Sequence, residues 1–398
     1  MDFNLTKEQE LLRDGLAKFL ATRYDLEQSR TAARTGAGWQ PDIWRGFAGE
    51  LGILGATLPE TVGGMGGGPE ELMVITEALG RALVVEPYVD TVVVAGGLLR
   101  RAGGEHATSV LEKIVAGTAI VALAATEPAS GDHLQEVSTT AERDGDDWVL
   151  NGAKIVVVSA PLATHLLITA RAFGAAGPAT SDSGAAGPAT SDSGTAGISL
   201  FLADFDAADP GPGITVHSYR TIDDRRAADL VLDDLRLPAS ALLGAAGQAW
   251  PSLAQARDEG AAAVSSEAVG CMRKVLADTV EYCKQRRQFG QPIGSFQVLQ
   301  HRMVDMYMEL EQAVAAVYLA VLNLQAEPAK RARSVSAAKA TVGRAARFIG
   351  QNAVQLHGGM GMTEELAVGH YFKRLTAIQY EFGSTDHHLA RYAALTKP

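Results

Sequence analysis

The stretch Tyr282-Cys283-Lys284-Gln285-Arg286-Arg287-Gln288-Phe289-Gly290 closes an amphipathic run that starts at Glu267 and leads on to Pro292-Ile293 and Phe296-Gln297. Physically it reads as the end of a helix. Basic side chains gather where the helix pole is negative, and Gly290 lets the chain turn tightly behind them. An arginine placed there either serves that pole or forks onto a phosphate. C-terminal to it, residues 296–324 read as a longer helix, 335–356 as a third and 366–375 as a short fourth.

N-terminal to it the pattern changes. Short β-type runs recur at 120–124, 148–150, 155–158, 166–169, 198–202, 214–219 and 228–232. Asn151-Gly152 is expected to turn a hairpin between the second and third of these. Six or seven such strands imply a small barrel or sandwich. The first hundred residues are helical again. Thr6 with Gln9 forms a capping box ahead of Leu12, Leu16, Phe19 and Leu20. A second helix follows Pro41, and the glycine-rich break at 61–68 precedes another near Pro69. The expected fold is therefore α+β: an N-terminal helical domain (1–119), a central β domain (120–238) and a C-terminal four-helix bundle (239–398). Within the β domain, GAAGPATSDS at 174–183 is copied word for word at 184–193. Its composition buries almost nothing, and it reads as a flexible hairpin insertion without chemistry.

The 398 residues carry a net charge of -11, which argues against nucleic acid as a partner. The two cysteines, Cys271 and Cys283, show no metal-type spacing, and no metal site is expected. On one helix they would lie about three turns, roughly 18 Å, apart and could not bridge, which fits a reducing compartment. The N-terminus lacks a signal-type apolar core and no run is clean enough to span a membrane, so a cytoplasmic location is expected.

Three further motifs join the first. Thr126-Glu127-Pro128 precedes Ala129-Ser130-Gly131-Asp132; Asp233-Asp234-Leu235-Arg236-Leu237-Pro238 comes before Leu243-Gly244; Gln355-Leu356-His357-Gly358-Gly359-Met360-Gly361 follows about 70 residues after the arginine motif. In this order the four resemble the acyl-CoA dehydrogenase family, over almost the whole chain. The resemblance implies FAD as cofactor. Thr126 and Ser159 would meet the flavin, while Arg286, Phe289, Gln297, Gln355, Gly358 and Gly359 would contact FAD across a subunit interface. It also implies an acyl-CoA substrate, a base that removes the α proton while hydride leaves the β carbon for flavin N5, and an electron-transfer flavoprotein-type acceptor. A homo- or hetero-tetramer with a paralogous subunit is expected.

The sequence departs from the family where it matters. The usual K-x-W-I-T-N is Lys154-Ile155-Val156-Val157-Val158-Ser159 here, with valines at the indole and hydroxyl positions. The usual base lies in Y-E-G-T; an ungapped count puts it on Phe382, and a one-residue shift puts it on Glu381. A second branch takes its base from the helix before the arginine motif, which here falls on Gly260 beside Glu259, with Glu267 two turns on. Glu381 is the candidate base, ahead of Glu259, Glu267 and Asp386. These changes resemble the small subunits of hetero-oligomeric bacterial acyl-CoA dehydrogenases, such as the pimeloyl-CoA dehydrogenase small subunit. The alternative is thus a non-catalytic partner completing the flavin site of a paralogous chain. His387-His388 reads as a surface or packed pair, and His301 is expected to face a neighbouring helix.

Overall fold

The computed structural model describes residues 5–172 and 195–397; the tandem repeat at 174–193 lies outside the described residues. Helices α1 (Lys7–Arg23), α2 (Leu26–Thr35), α3 (Pro41–Gly49), α4 (Pro69–Ala82), α5 (Gly96–Ala102) and α6 (Gly104–Val115) form the first region. The Thr6–Gln9 capping box starts α1 as expected. Helix α2 was not apparent in the sequence because it has no apolar stripe: it is capped by Asp25 and buries Ser29, Arg30 and Ala33. A π-helical segment, Val89–Ala95, runs directly into α5.

The middle region holds β1 (Val121–Ala124), β2 (Thr140–Asp144), β3 (Asp147–Val158), β4 (His165–Ala172), β5 (Ile198–Asp204), β6 (Ile214–Arg220), β7 (Arg226–Pro238) and β8 (Leu242–Leu243). They form one mixed sheet in the order β6-β7-β3-β2-β4-β5-β8, with β1 beside β4. The expected Asn151-Gly152 hairpin turn is not there. Residues 147–158 are a single strand, and the Asn-Gly pair sits at a register shift against β7. Asn151 is tied on both sides of its amide to Asp234: its Nδ2 donates to Oδ1 at 3.0 Å and its Oδ1 accepts from the backbone N–H at 2.8 Å. A cross-strand partner thus turns a local turn signal into a bulge. The true hairpin is one strand earlier, between β2 and β3.

The last region is helical: α7 (Trp250–Gln285), α8 (Gln297–Val321), α9 (Pro328–His357), α10 (Val368–Ile378) and α11 (Thr385–Thr396). Helix α7 begins well before Glu267, at Trp250; its central stretch from Gly260 to Met272 is buried on every side and so shows no amphipathic period. Both cysteines lie buried and free on it. His388 is fully buried, but His301 is exposed on α8 and does not face a neighbouring helix. Among the described residues no helix is long and apolar enough to cross a membrane.

The first and last regions meet where α4 crosses α7 with backbones in contact. A Cβ on Gly80 would lie 2.0 Å from the Glu267 carbonyl oxygen, and one on Gly270 would lie 1.9 Å from that of Glu77. Only glycine allows this approach on either helix. Gly270→Ala is therefore expected to destabilise the protein by about 2–3 kcal/mol, read as a lower urea midpoint with an unchanged slope.

Candidate active site

The site is assembled on anchored turns. Glu127, buried behind β1, accepts from Lys154 Nζ at 2.6 Å, from Thr139 Oγ1 at 2.7 Å and from the Ser138 N–H at 2.6 Å. Burial pushes its pKa up, but Lys154 and these bonds outweigh that and hold it below the usual carboxylate range. Burial draws Lys154 down to about 8 against the pull of Glu127. This pair fixes the strand end carrying Thr126 to the strand carrying Val156 and Val158, so the sequence motif has a structural job.

Between the three regions lies a cavity of about 390 Å³. Thr126, Val156 and Val158 form one wall, while Val89, Asp90 and Val94 line it from the π-helical segment. Thr221, Asp223 and Arg225 enter from the loop between β6 and β7, Leu253 and Arg257 from α7, and Tyr380–Gly383 from the turn after α10. Val156 has a φ of 51° at the second register shift of β3, and its N–H donates to Asp229 Oδ1 at 2.9 Å. That bulge turns the valine into the cavity.

A buried charge network closes one end. Arg374 of α10 grips Glu267 through Nε at 2.7 Å and Nη2 at 2.8 Å, Asp223 through Nη1 at 2.8 Å, and Glu381 through Nη1 at 2.5 Å and Nη2 at 3.0 Å. Arg225 adds a 2.8 Å bond to Glu267. Burial alone would lower the Arg374 pKa, yet the surrounding carboxylates raise it well above its ordinary value. The turn itself is pinned by Lys339, whose Nζ donates to the carbonyls of Ile378 at 2.8 Å, Gly383 at 3.0 Å and Gln379 at 3.3 Å.

The two positions where the family's base falls by strict count, Phe382 and Gly260, touch one another. A Cβ on Gly260 would lie 2.6 Å from Phe382 Cε1, so the phenyl ring fills the space that side chains at either position would share. Phe382 holds a φ of 57°, an unfavourable conformation for an aromatic residue. Glu381 reaches the cavity, with both oxygens on Arg374. Glu259 turns elsewhere, onto Arg101 at 2.8 Å beside a second, smaller pocket. Glu267 is buried within the network, and Asp386 is exposed in the first turn of α11.

The candidate cofactor residues divide into two groups. Thr126 lines the cavity, whereas Ser159 is buried behind it and donates to Asp90 Oδ2 at 2.7 Å. Arg286, Phe289, Gln297, Gln355, Gly358 and Gly359 all lie exposed on the outer surface, Phe289 at 89%. Tyr282 stacks on His357 at 4.3 Å, which brings the end of α7 beside the glycine turn. Side chains built on Gly358 and Gly359 would meet nothing within 4 Å, so the backbone there is open to a large ligand or a neighbouring chain. The apolar wall fits a flavin ring, and the exposed group fits the remainder of an FAD held between subunits.

Sequence reading missed Asp90, Arg225 and Arg374. A lone acid in the run Val89-Asp90-Thr91-Val92-Val93-Val94 was the available signal for Asp90. Burial pushes its pKa up against the pull of Ser159 and Arg225. The arginines carry no local signal, because Glu267, which both of them hold, lies 42 residues from Arg225 and 107 from Arg374.

Family models match along the chain: the acyl-CoA dehydrogenase N-terminal domain at 6–118, the middle domain at 122–235 and the C-terminal domain at 247–395. Acyl-CoA dehydrogenase FadE12 of Mycobacterium tuberculosis is 30% identical over 373 residues, covering 91% of this chain and 89% of that protein. Butyryl-CoA dehydrogenase of Megasphaera elsdenii is 26% identical with a TM-score of 0.84 over 99% of both chains. A chain of the Tcur3481–Tcur3483 steroid ACAD is 27% identical with a TM-score of 0.82, covering 98% of this chain and 97% of that one. The chain belongs to the acyl-CoA dehydrogenase family, whose members are FAD-dependent oxidoreductases.

Removing Arg374 would strand three carboxylates together in the interior. Arg374→Met is expected to cost about 3–5 kcal/mol of folding stability, measured by denaturant unfolding. Retention of wild-type stability would show that the carboxylates take up protons or water at little cost.

Proposed function

We propose that the chain acts in the α,β-dehydrogenation of an acyl-CoA thioester as one subunit of an oligomer, with Glu381 as the acceptor of the α proton. The carrying observation is that Glu381 and Thr126 line the same cavity, and that Glu381 is the only glutamate lining it among the described residues. FAD, when bound, supplies the hydride acceptor at flavin N5. The chain's own part is positional. Val156 and Val158 offer an apolar face, Leu253, Val89 and Val94 shelter an acyl chain from water, and Thr126 and its backbone stand at the thioester side. For Glu381 to take a proton, one of its oxygens has to leave Arg374. An electron-transfer flavoprotein-type acceptor and a cytoplasmic location complete this reading.

A second reading is favoured by that same clasp. With Phe382 and Gly260 at the strict-count positions and Glu381 held through both oxygens, the chain would complete the flavin site of a paralogous subunit without performing the proton abstraction itself. The exposed Arg286, Gln355 and Gly358 support an interface role under either reading.

Glu381→Gln separates the two. Rapid mixing of the flavin-loaded oligomer with mixed acyl-CoAs, followed as bleaching of the flavin band, is expected to slow by about 10²–10⁴-fold. A change of less than threefold would remove Glu381 as the base and leave the partner-subunit reading.

A further inference from the structure

Arg257 stands on α7 in the wall of the main cavity and is 8% exposed. Among the described residues it makes no hydrogen bond or ion pair, and its Nε is buried without a partner. Its sequence neighbour Asp258 cannot serve it: Oδ2 accepts from Arg331 Nε at 3.2 Å and Oδ1 from Arg391 Nη1 at 2.6 Å. Across the cavity, Asp132 accepts from Ser384, through Oγ at 2.6 Å and the backbone N–H at 3.3 Å. His387 is close by, with burial and then Arg257 pushing its pKa down to about 4, so its ring is neutral at neutral pH and adds no charge. Burial, with Arg391 acting in the same direction, lowers Arg257 itself to about 10, which leaves it charged at neutral pH.

The other end of the cavity behaves differently. There the guanidiniums of Arg225 and Arg374 are ion-paired with Asp223, Glu267 and Glu381, Lys339 lies near Glu381, and Asp90 stands beside them as a further carboxyl. Arg257 is thus the cation of the cavity wall with no hydrogen-bonded or ion-paired carboxylate, Asp258 and Asp132 acting on it only through space. A buried guanidinium without a partner is costly, and its planar fork matches an oxyanion.

We propose that Arg257 is the recognition site for an oxyanion of the cavity's ligand. This rests on the acyl-thioester reading of the same cavity and adds to it the chemical class of the group that the ligand must present. Two sources share that chemistry: a carboxylate carried by the acyl group, or a phosphate of the CoA moiety.

Calorimetric titration of the flavin-loaded oligomer tests it with three probes: hexanoyl-pantetheine without an anion, adipoyl-pantetheine with a carboxylate only, and hexanoyl-CoA with phosphates only. Arg257→Met is expected to weaken one anionic probe at least tenfold and hexanoyl-pantetheine less than twofold, with Arg257→Lys recovering part of the loss. Loss confined to adipoyl-pantetheine assigns the oxyanion to the acyl group; loss confined to hexanoyl-CoA assigns it to the phosphates. Arg257→Met is also expected to keep its flavin and to melt no lower than wild type, since it removes an unpaired buried charge. Equal weakening of all three probes, less than twofold weakening of both anionic ones, or loss of flavin would overturn the proposal. If no probe binds the unaltered protein, the acyl-thioester reading fails as well.

Discussion

Everything around the cavity depends on one guanidinium. Arg374 holds Glu267 from α7, Asp223 from the β6–β7 loop and Glu381 from the turn after α10, so one side chain ties the central sheet to two places in the helical bundle. Its neighbour Arg225 extends the reach to the first region, donating to the Val84 carbonyl at 3.3 Å. Arg30 of α2 joins from that side through the Asp223 carbonyl at 3.1 Å. Such a cluster need not add net stability over an apolar junction, because desolvation offsets much of its Coulomb energy. What it supplies is geometry: the carboxylates have one arrangement in which every oxygen finds a donor.

That arrangement also conditions the chemistry. The turn bearing Glu381 is stretched between Arg374 on one side and Lys339 on the other, and Phe382 is pressed into a left-handed backbone between them. A carboxylate aligned in this way is well placed but occupied. Its availability is decided by residues on α7 and α10 rather than by the turn itself, and the ring of Phe382 against Gly260 closes the alternative positions.

Much of the architecture could be read from the chain. The alternation of helical and strand-like regions, the capping box on α1 and the glycine break before α4 follow from local rules, since period and turn chemistry act over a few residues. Failures occurred where a distant partner decided the outcome. Asn151-Gly152 has every mark of a hairpin turn until Asp234 takes its amide. Helix α2 has no apolar stripe because it buries an arginine for an ion pair, and the middle of α7 shows no amphipathic period because it is enclosed. The site was legible in the same measure. Thr126 and Glu381 proved to share a cavity, whereas Ser159 turned to Asp90, which the sequence presented only as a lone acid among valines. Arg257, Arg225 and Arg374 acquire meaning only once the chain has folded.

The crossing of α4 and α7 sets a limit on how such a protein can diversify. Two backbones that touch through Gly80 and Gly270 leave no room for a side chain to grow, so that contact acts as a fixed datum for both helical regions. Variation in what the cavity accepts must then enter through surfaces away from the datum: the π-helical segment, the β6–β7 loop and the turn after α10. A duplicated copy of the gene could re-cut any one of these walls for a longer or bulkier acyl group while the frame behind it stayed unchanged.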